Sequence, residues 1–154
     1  MNNYTYQPIP EFRAWLKAQK IILNVNAIDF AFNQICGADE KDDYYDWYDY
    51  NEIELMQFVH RYDKNKKKMY VGDIVKVDRK MLNLNNTGEF LAVVEFNTED
   101  STFCLYDTSC DECHELHRLS EKFYEIVGNI YQDFDLIEQY NEREEQNLLC
   151  SRKS

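Results

Sequence analysis

Apolar and polar positions along this chain fall into short, β-rich runs separated by polar turns, with one helical pattern near the end. The stretch FRAWLKAQKIILNVNAIDF reads as two extended segments, Phe12 to Leu16 and Lys20 to Phe30, joined by a turn over Lys17 to Gln19. That pattern predicts a hairpin. IELMQFVHRY resumes a strand pattern, and the polar residues Asp63 to Lys67 predict a turn before the next one. GDIVKV, EFLAVVEF and STFCLY follow as three β-rich runs, separated by the turn-forming NLNNTG and NTED. Short strands at this spacing suggest a meander or a small SH3-like or Greek-key barrel, which EIVGNI, Glu125 to Ile130, would close. Beyond it, Phe134, Ile137, Tyr140 and Leu148 are spaced as on a helix, with Asp133 as its N-cap. The expectation is a mainly β (β-rich α+β) chain. Its parts are an N-terminal hairpin region over 1–62, a barrel core over 63–131, and a C-terminal helix and tail over 132–154, together one compact unit.

One segment interrupts this regularity. In GADEKDDYYDWYDYNEIE, residues 37–54, eight acids face a single lysine, Lys41. Like charges this dense oppose compaction, so a loop or mobile flap is expected. Its aromatic residues make it the leading candidate site. Asp42, Asp43, Tyr44, Tyr45, Asp46, Trp47, Tyr48, Asp49 and Tyr50, with Phe58 just beyond, interleave carboxylates with rigid rings. Such a surface presents negative charge at phosphate-like density to a basic partner, and aromatic residues anchor protein interfaces in general. The plainer alternative is a solvated loop whose tyrosines pack on the protein's own core.

The net charge of −12, from 17 basic and 29 acidic residues, disfavours attraction to a phosphate backbone. Direct nucleic-acid binding is therefore not expected. The chain contains no apolar run of about eighteen residues and no export pattern at its start, which predicts a cytoplasmic protein without a membrane segment. Five cysteines, Cys36, Cys104, Cys110, Cys113 and Cys150, lack disulfide-framework spacing, so free thiols and no structural disulfide are expected.

Three chemical candidates remain. Cys110, Cys113, His114 and His117 would share one face of a helix, and CDECH matches the c-type haem attachment pattern. Haem attachment follows export, however, and structural zinc sites draw on separated ligand pairs, because tetrahedral geometry needs approach from several directions. These four are weak metal candidates, and no cofactor is expected; the plain reading is a surface loop anchored by Leu119. Lys66, Lys67 and Lys68, beside Lys64 and Arg61, form the basic cluster that could hold an anionic nucleotide, although such runs are more often solvated turns. Paired carboxylates carry no catalytic signal among twenty-nine acids, and no phosphate loop, nucleophile elbow or His-Glu-x-x-His occurs. The protein is not expected to be an enzyme.

The order of EFRAW, AIDF, ELMQF, DKNKKKMYVGDIVKV, VVEF and EIVGNIYQDFDLI over residues 11 to 138 resembles the YopX family of phage and prophage proteins. The resemblance implies a mostly β protein with a barrel, encoded by phages or prophages, acting in the bacterial cytoplasm and without established enzymatic activity. Two departures stand out. Val59 and His60 follow Phe58 where the family has a Thr-Gly-type turn. Lys66 stands where the Asp-Lys-Asn turn often has glycine, so either Asn65 takes the left-handed geometry or the turn type differs. The acidic insert and the Cys/His stretch are not family motifs. With the phage context, the charge and the insert, the expected role is a non-enzymatic accessory protein that binds a host protein. That partner would be basic, or itself a nucleic-acid-handling or defence protein, and the binding an inhibition resembling DNA mimicry. The alternatives are a small-ligand module for an anionic nucleotide, or a purely structural homo-oligomer.

Overall fold

The computed structural model describes residues 8–138 and residue 149. The chain divides into two units between His60 and Arg61. In the first, β1 (Phe12–Leu16), β2 (Ile21–Asp29), β3 (Gln34–Ala38), β4 (Asp46–Asp49) and β5 (Ile53–Tyr62) lie in the order β4-β3-β2-β1-β5. The order ends with β6 (Lys68–Tyr70), which follows β5, whose last two residues already belong to the second unit. The N-terminal hairpin forms as its pattern predicts, with Arg13 opposite Asn24 and Leu16 opposite Ile21. Lys20 closes the turn in the left-handed region at φ 58°, donating its N–H to the Leu16 carbonyl at 2.8 Å. Ala14, Leu16, Leu23, Ile35 and Ile53 form the core of this unit, with Ile21, Val25, Ile28 and Tyr48 packed on it.

The second unit carries β7 (Asp73–Asp78), β8 (Glu89–Asn97), β9 (Thr102–Asp107), β10 (Glu112–Glu115) and β11 (Tyr124–Asn129) in the order β10-β9-β8-β7-β11. All its ladders are antiparallel. The β-rich expectation holds, but the sheets do not close into a barrel. Closure needs an accumulated stagger that brings first and last strands alongside each other. Here β11 pairs with β7, across a bulge between Ile126 and Gly128, and stays at the opposite edge from β10. Val75, Val77, Phe90, Ala92, Val94 and Leu105 are fully buried.

Helix is present at residues 134–138, and the expected continuation through Tyr140 and Leu148 lies outside the described residues. Ile137 packs with Ile74 and Val93, whereas Phe134 is exposed. Asp133 does precede the helix, yet its carboxylate accepts the Asn129 N–H at 3.0 Å and so serves the end of β11.

Four buried polar residues explain why the turns form where they do. Asp63 accepts the N–H groups of Asn65 and Lys67 on one oxygen and that of Ile126 on the other, at 2.8 to 3.0 Å. Asp73 accepts from Tyr70, Asp107 from Ser109, and Asn129 from Tyr131 and Gln132. Each buried side chain thereby finds turn N–H donors for its own oxygens, which left buried and unpaired would cost on the order of 1–3 kcal/mol apiece. Lys66 itself takes the left-handed geometry at φ 64°, not Asn65. Among the described residues no helix is long and apolar enough to cross a membrane.

Candidate functional site

The acidic-aromatic segment is ordered, contrary to the flap expected of it. After β3 the chain turns at Asp39, whose carboxylate accepts the N–H groups of Lys41 and Asp43 at 2.9 and 2.8 Å. Asp42 and Tyr44 then occupy the left-handed region at φ 61° and 59°. The chain returns as β4, paired with β3 from Gly37 opposite Asp46 to Gln34 opposite Asp49, and ends in a 3-10 turn, Tyr50–Glu52. Charge density alone misjudged this segment for a local reason. Several of its carboxylates bind backbone N–H groups beside them, and tyrosine and tryptophan favour the extended backbone that β4 adopts.

The resulting surface divides its rings. Tyr48 is turned onto the first unit's core, and that burial, together with the Asp46 carboxylate, holds its phenol above the usual range. Phe58 is buried and does not contribute to the surface. Tyr44, Tyr45, Trp47 and Tyr50 are exposed, Tyr45 by 66% and Trp47 by 48%. Hydrogen bonding with the Cys36 thiol holds the Tyr45 phenol up as well. Asp42, Asp43, Asp46 and Asp49 are exposed between them. Two rings that the sequence reading missed lie at the Tyr50 end of β4, away from Tyr44 and Tyr45. Phe30 and Phe32, exposed by 80% and 75%, sit in the β2–β3 turn, where Asp29 accepts the N–H groups of Ala31 and Phe32. The same turn accepts the Tyr50 N–H on the Asn33 carbonyl at 3.0 Å. Periodicity could not reveal them, because their exposure follows from a turn that the β2 pattern runs straight through.

The other candidates are arranged differently. Lys66 faces Glu121 at 3.5 Å and Lys64 faces Glu125 at 2.8 Å. The Lys64 ammonium lowers the Glu125 carboxyl below its usual range, while hydrogen bonding to Glu125 raises Lys64. Lys67 lends its N–H to Asp63, and Lys68 opens β6. Carboxylates thus stand beside the ammonium groups of Lys64 and Lys66, where an anionic ligand would have to displace them.

Cys110, Cys113, His114 and His117 do not converge, because their segment is a hairpin arm and not a helix. Cys110 lies exposed in the β9–β10 turn, its thiol held up by partial desolvation and by Asp107. Cys113, on β10, is disulfide-bonded to Cys104 on β9, with Cα atoms 5.8 Å apart. The expectation of no structural disulfide is overturned for this pair, because the antiparallel ladder brings two cysteines nine positions apart within bonding reach. His114 packs edge-on against Phe90, and His117 lies 3.5 Å from Glu115 in the following 3-10 turn. Leu116, not Leu119, is the buried anchor. Among the described residues, no group of three or more His, Cys, Asp or Glu side chains could hold a metal ion.

A family model described as YopX protein matches residues 11–138. The fold is similar to that of protein EF1440 from Enterococcus faecalis, with a TM-score of 0.58 and 22% identity over 85% of this chain and 99% of that one. It is also similar to protein YopX from Bacillus subtilis, with a TM-score of 0.50 and 17% identity over 82% and 96% of the two chains. No curated protein matches the chain in sequence.

Proposed function

The chain belongs to the YopX family, and from that premise we propose that it is a non-enzymatic phage or prophage accessory protein that captures a host protein on the acidic-aromatic surface around β4. The captured protein is basic, of the kind that handles nucleic acid or defends the cell, and capture inhibits it. One observation carries this reading. Asp42, Asp43, Asp46 and Asp49 stand exposed beside Tyr44, Tyr45, Trp47 and Tyr50 on a folded hairpin. Because the hairpin is formed before binding, no backbone has to be ordered and only the side chains remain to be fixed, which raises the affinity that a given contact area yields. The carboxylates and the net charge of −12 steer a basic partner towards them.

The test is a tagged pull-down from host lysate, with and without nuclease, comparing the wild type with a variant carrying Asp42→Asn, Asp43→Asn, Asp46→Asn and Asp49→Asn together. A stoichiometric host protein should survive nuclease treatment and be lost with the folded variant. Unchanged capture by the variant would remove the surface assignment.

A further inference from the structure

β4 is the last strand of its sheet, and among the described residues nothing pairs with its outer side. In an antiparallel ladder alternate residues point their backbone groups to opposite sides. The Tyr50 N–H points inward to the Asn33 carbonyl. The N–H groups of Trp47 and Asp49, three and one residues earlier, therefore point outward. Both are covered by acids: Trp47 donates to Asp46 Oδ1 and Asp49 to Glu52 Oε2, each at 2.8 Å. An uncovered edge invites pairing with any strand, and charged side chains are a common guard. This guard is selective. A second copy of β4 would bring Asp46 and Asp49 against like charges, whereas a strand bearing lysine or arginine would offer the carboxylates a better partner than a backbone N–H.

We propose that β4 takes an extended, lysine- or arginine-bearing segment of the captured protein onto its open edge as a further strand of the sheet. The cationic side chains draw Asp46 and Glu52 outward, and the freed N–H groups of Trp47 and Asp49 donate to carbonyls of the incoming strand. The exposed Tyr45 and Trp47 rings flank the new strand. This inference rests on the capture surface proposed above and specifies how that surface is used.

The test separates backbone pairing from side-chain contact. Asp49 has φ −70° and ψ 152°, an angle that proline adopts unstrained, and its N–H faces away from β3. Asp49→Pro removes the outward donor, while Asp49→Asn removes the same charge and keeps the donor. The probe is a labelled ten-residue peptide alternating lysine and threonine, titrated by fluorescence anisotropy against the full chain. Two further forms of the peptide carry N-methyl groups on backbone nitrogens, either those of the lysines or those of the threonines. Asp49→Pro should bind the parent peptide at least tenfold more weakly than Asp49→Asn, and one methylated form should lose at least tenfold while the other binds. The peptide comparison on the wild type stands even if the proline variant does not fold. Edge pairing is overturned by equal binding of the two methylated forms, by equal binding of the two folded variants, or by no binding of the parent peptide. It is also overturned by a dimer of the wild type that Asp49→Pro abolishes, since the occupant would then be a second copy. In each case the four-aspartate pull-down still decides the surface itself.

Discussion

Tyr124 shows how one side chain can tie this fold to pH. It is fully buried, its hydroxyl has no hydrogen-bond partner among the described residues, and its backbone carbonyl receives the Lys64 N–H at 3.0 Å. Burial pushes its phenol up to about 12, helped by Glu121 and Asp63 and opposed by Arg61. The folded state then holds the proton more tightly than the unfolded chain does. Its stabilising effect is complete below pH 10, the ordinary tyrosine value, and is lost as pH rises towards 12, at up to about 1.4 kcal/mol per pH unit. Urea unfolding between pH 9 and 12 should show a steeper alkaline loss for the wild type than for Tyr124→Phe. At pH 9 the two should lie within about 1 kcal/mol, because the substitution removes a buried hydroxyl that is unpaired in the fold. Parallel pH curves would assign the alkaline loss to other groups, such as Tyr48, Tyr45 and Tyr106, which are also raised.

At the scale of elements, the β9–β10 arm depends on its cross-link. β10 is four residues long and among the described residues pairs only with β9, so its ladder alone holds it weakly. The Cys104–Cys113 bond closes a loop with a sequence separation of nine, which in the chain-entropy picture stabilises the fold by about 2–3 kcal/mol. Cys104→Ser should therefore lower unfolding stability by about that much under oxidising conditions, and much less when dithiothreitol is present for both proteins. An equal difference in both conditions would trace the loss to packing at the buried Cys104 side chain instead. The β3–β4 hairpin reaches order by another route, with Asp39 in the turn and Gln34 Nε2 donating to Asp49 Oδ1 at 2.8 Å across the ladder.

At the scale of the whole molecule the excess of acids matters more than any one of them. A net charge of −12 spread over both units gives a long-range field that accelerates encounter with a basic protein and is screened by salt. Raising ionic strength from about 0.1 M to about 1 M shortens the screening length from about 10 Å to about 3 Å. Association with the host protein proposed as its target should slow about tenfold or more over that range in stopped flow, with dissociation changing less. Salt-independent association would leave the charge without a role in capture.

What the sequence determined by itself is what local chemistry decides. The β-rich runs at Phe12 to Leu16 and in GDIVKV, EFLAVVEF and STFCLY are strands. Asp63 marks a turn because its carboxylate reaches N–H groups two and four residues on. The acidic-aromatic segment was also legible as unusual, though not as a strand, since charge repulsion was weighed without the carboxylate-to-backbone bonds that offset it. Tertiary structure decided the rest, because these features depend on which strands become neighbours. β11 took the free side of β7 and left the sheet open, and Cys113 met Cys104 only once β10 lay against β9. The pairing of β4 with β3 set which rings are covered, placing Tyr48 on the core while Trp47 stays exposed and the strand's outer edge stays open.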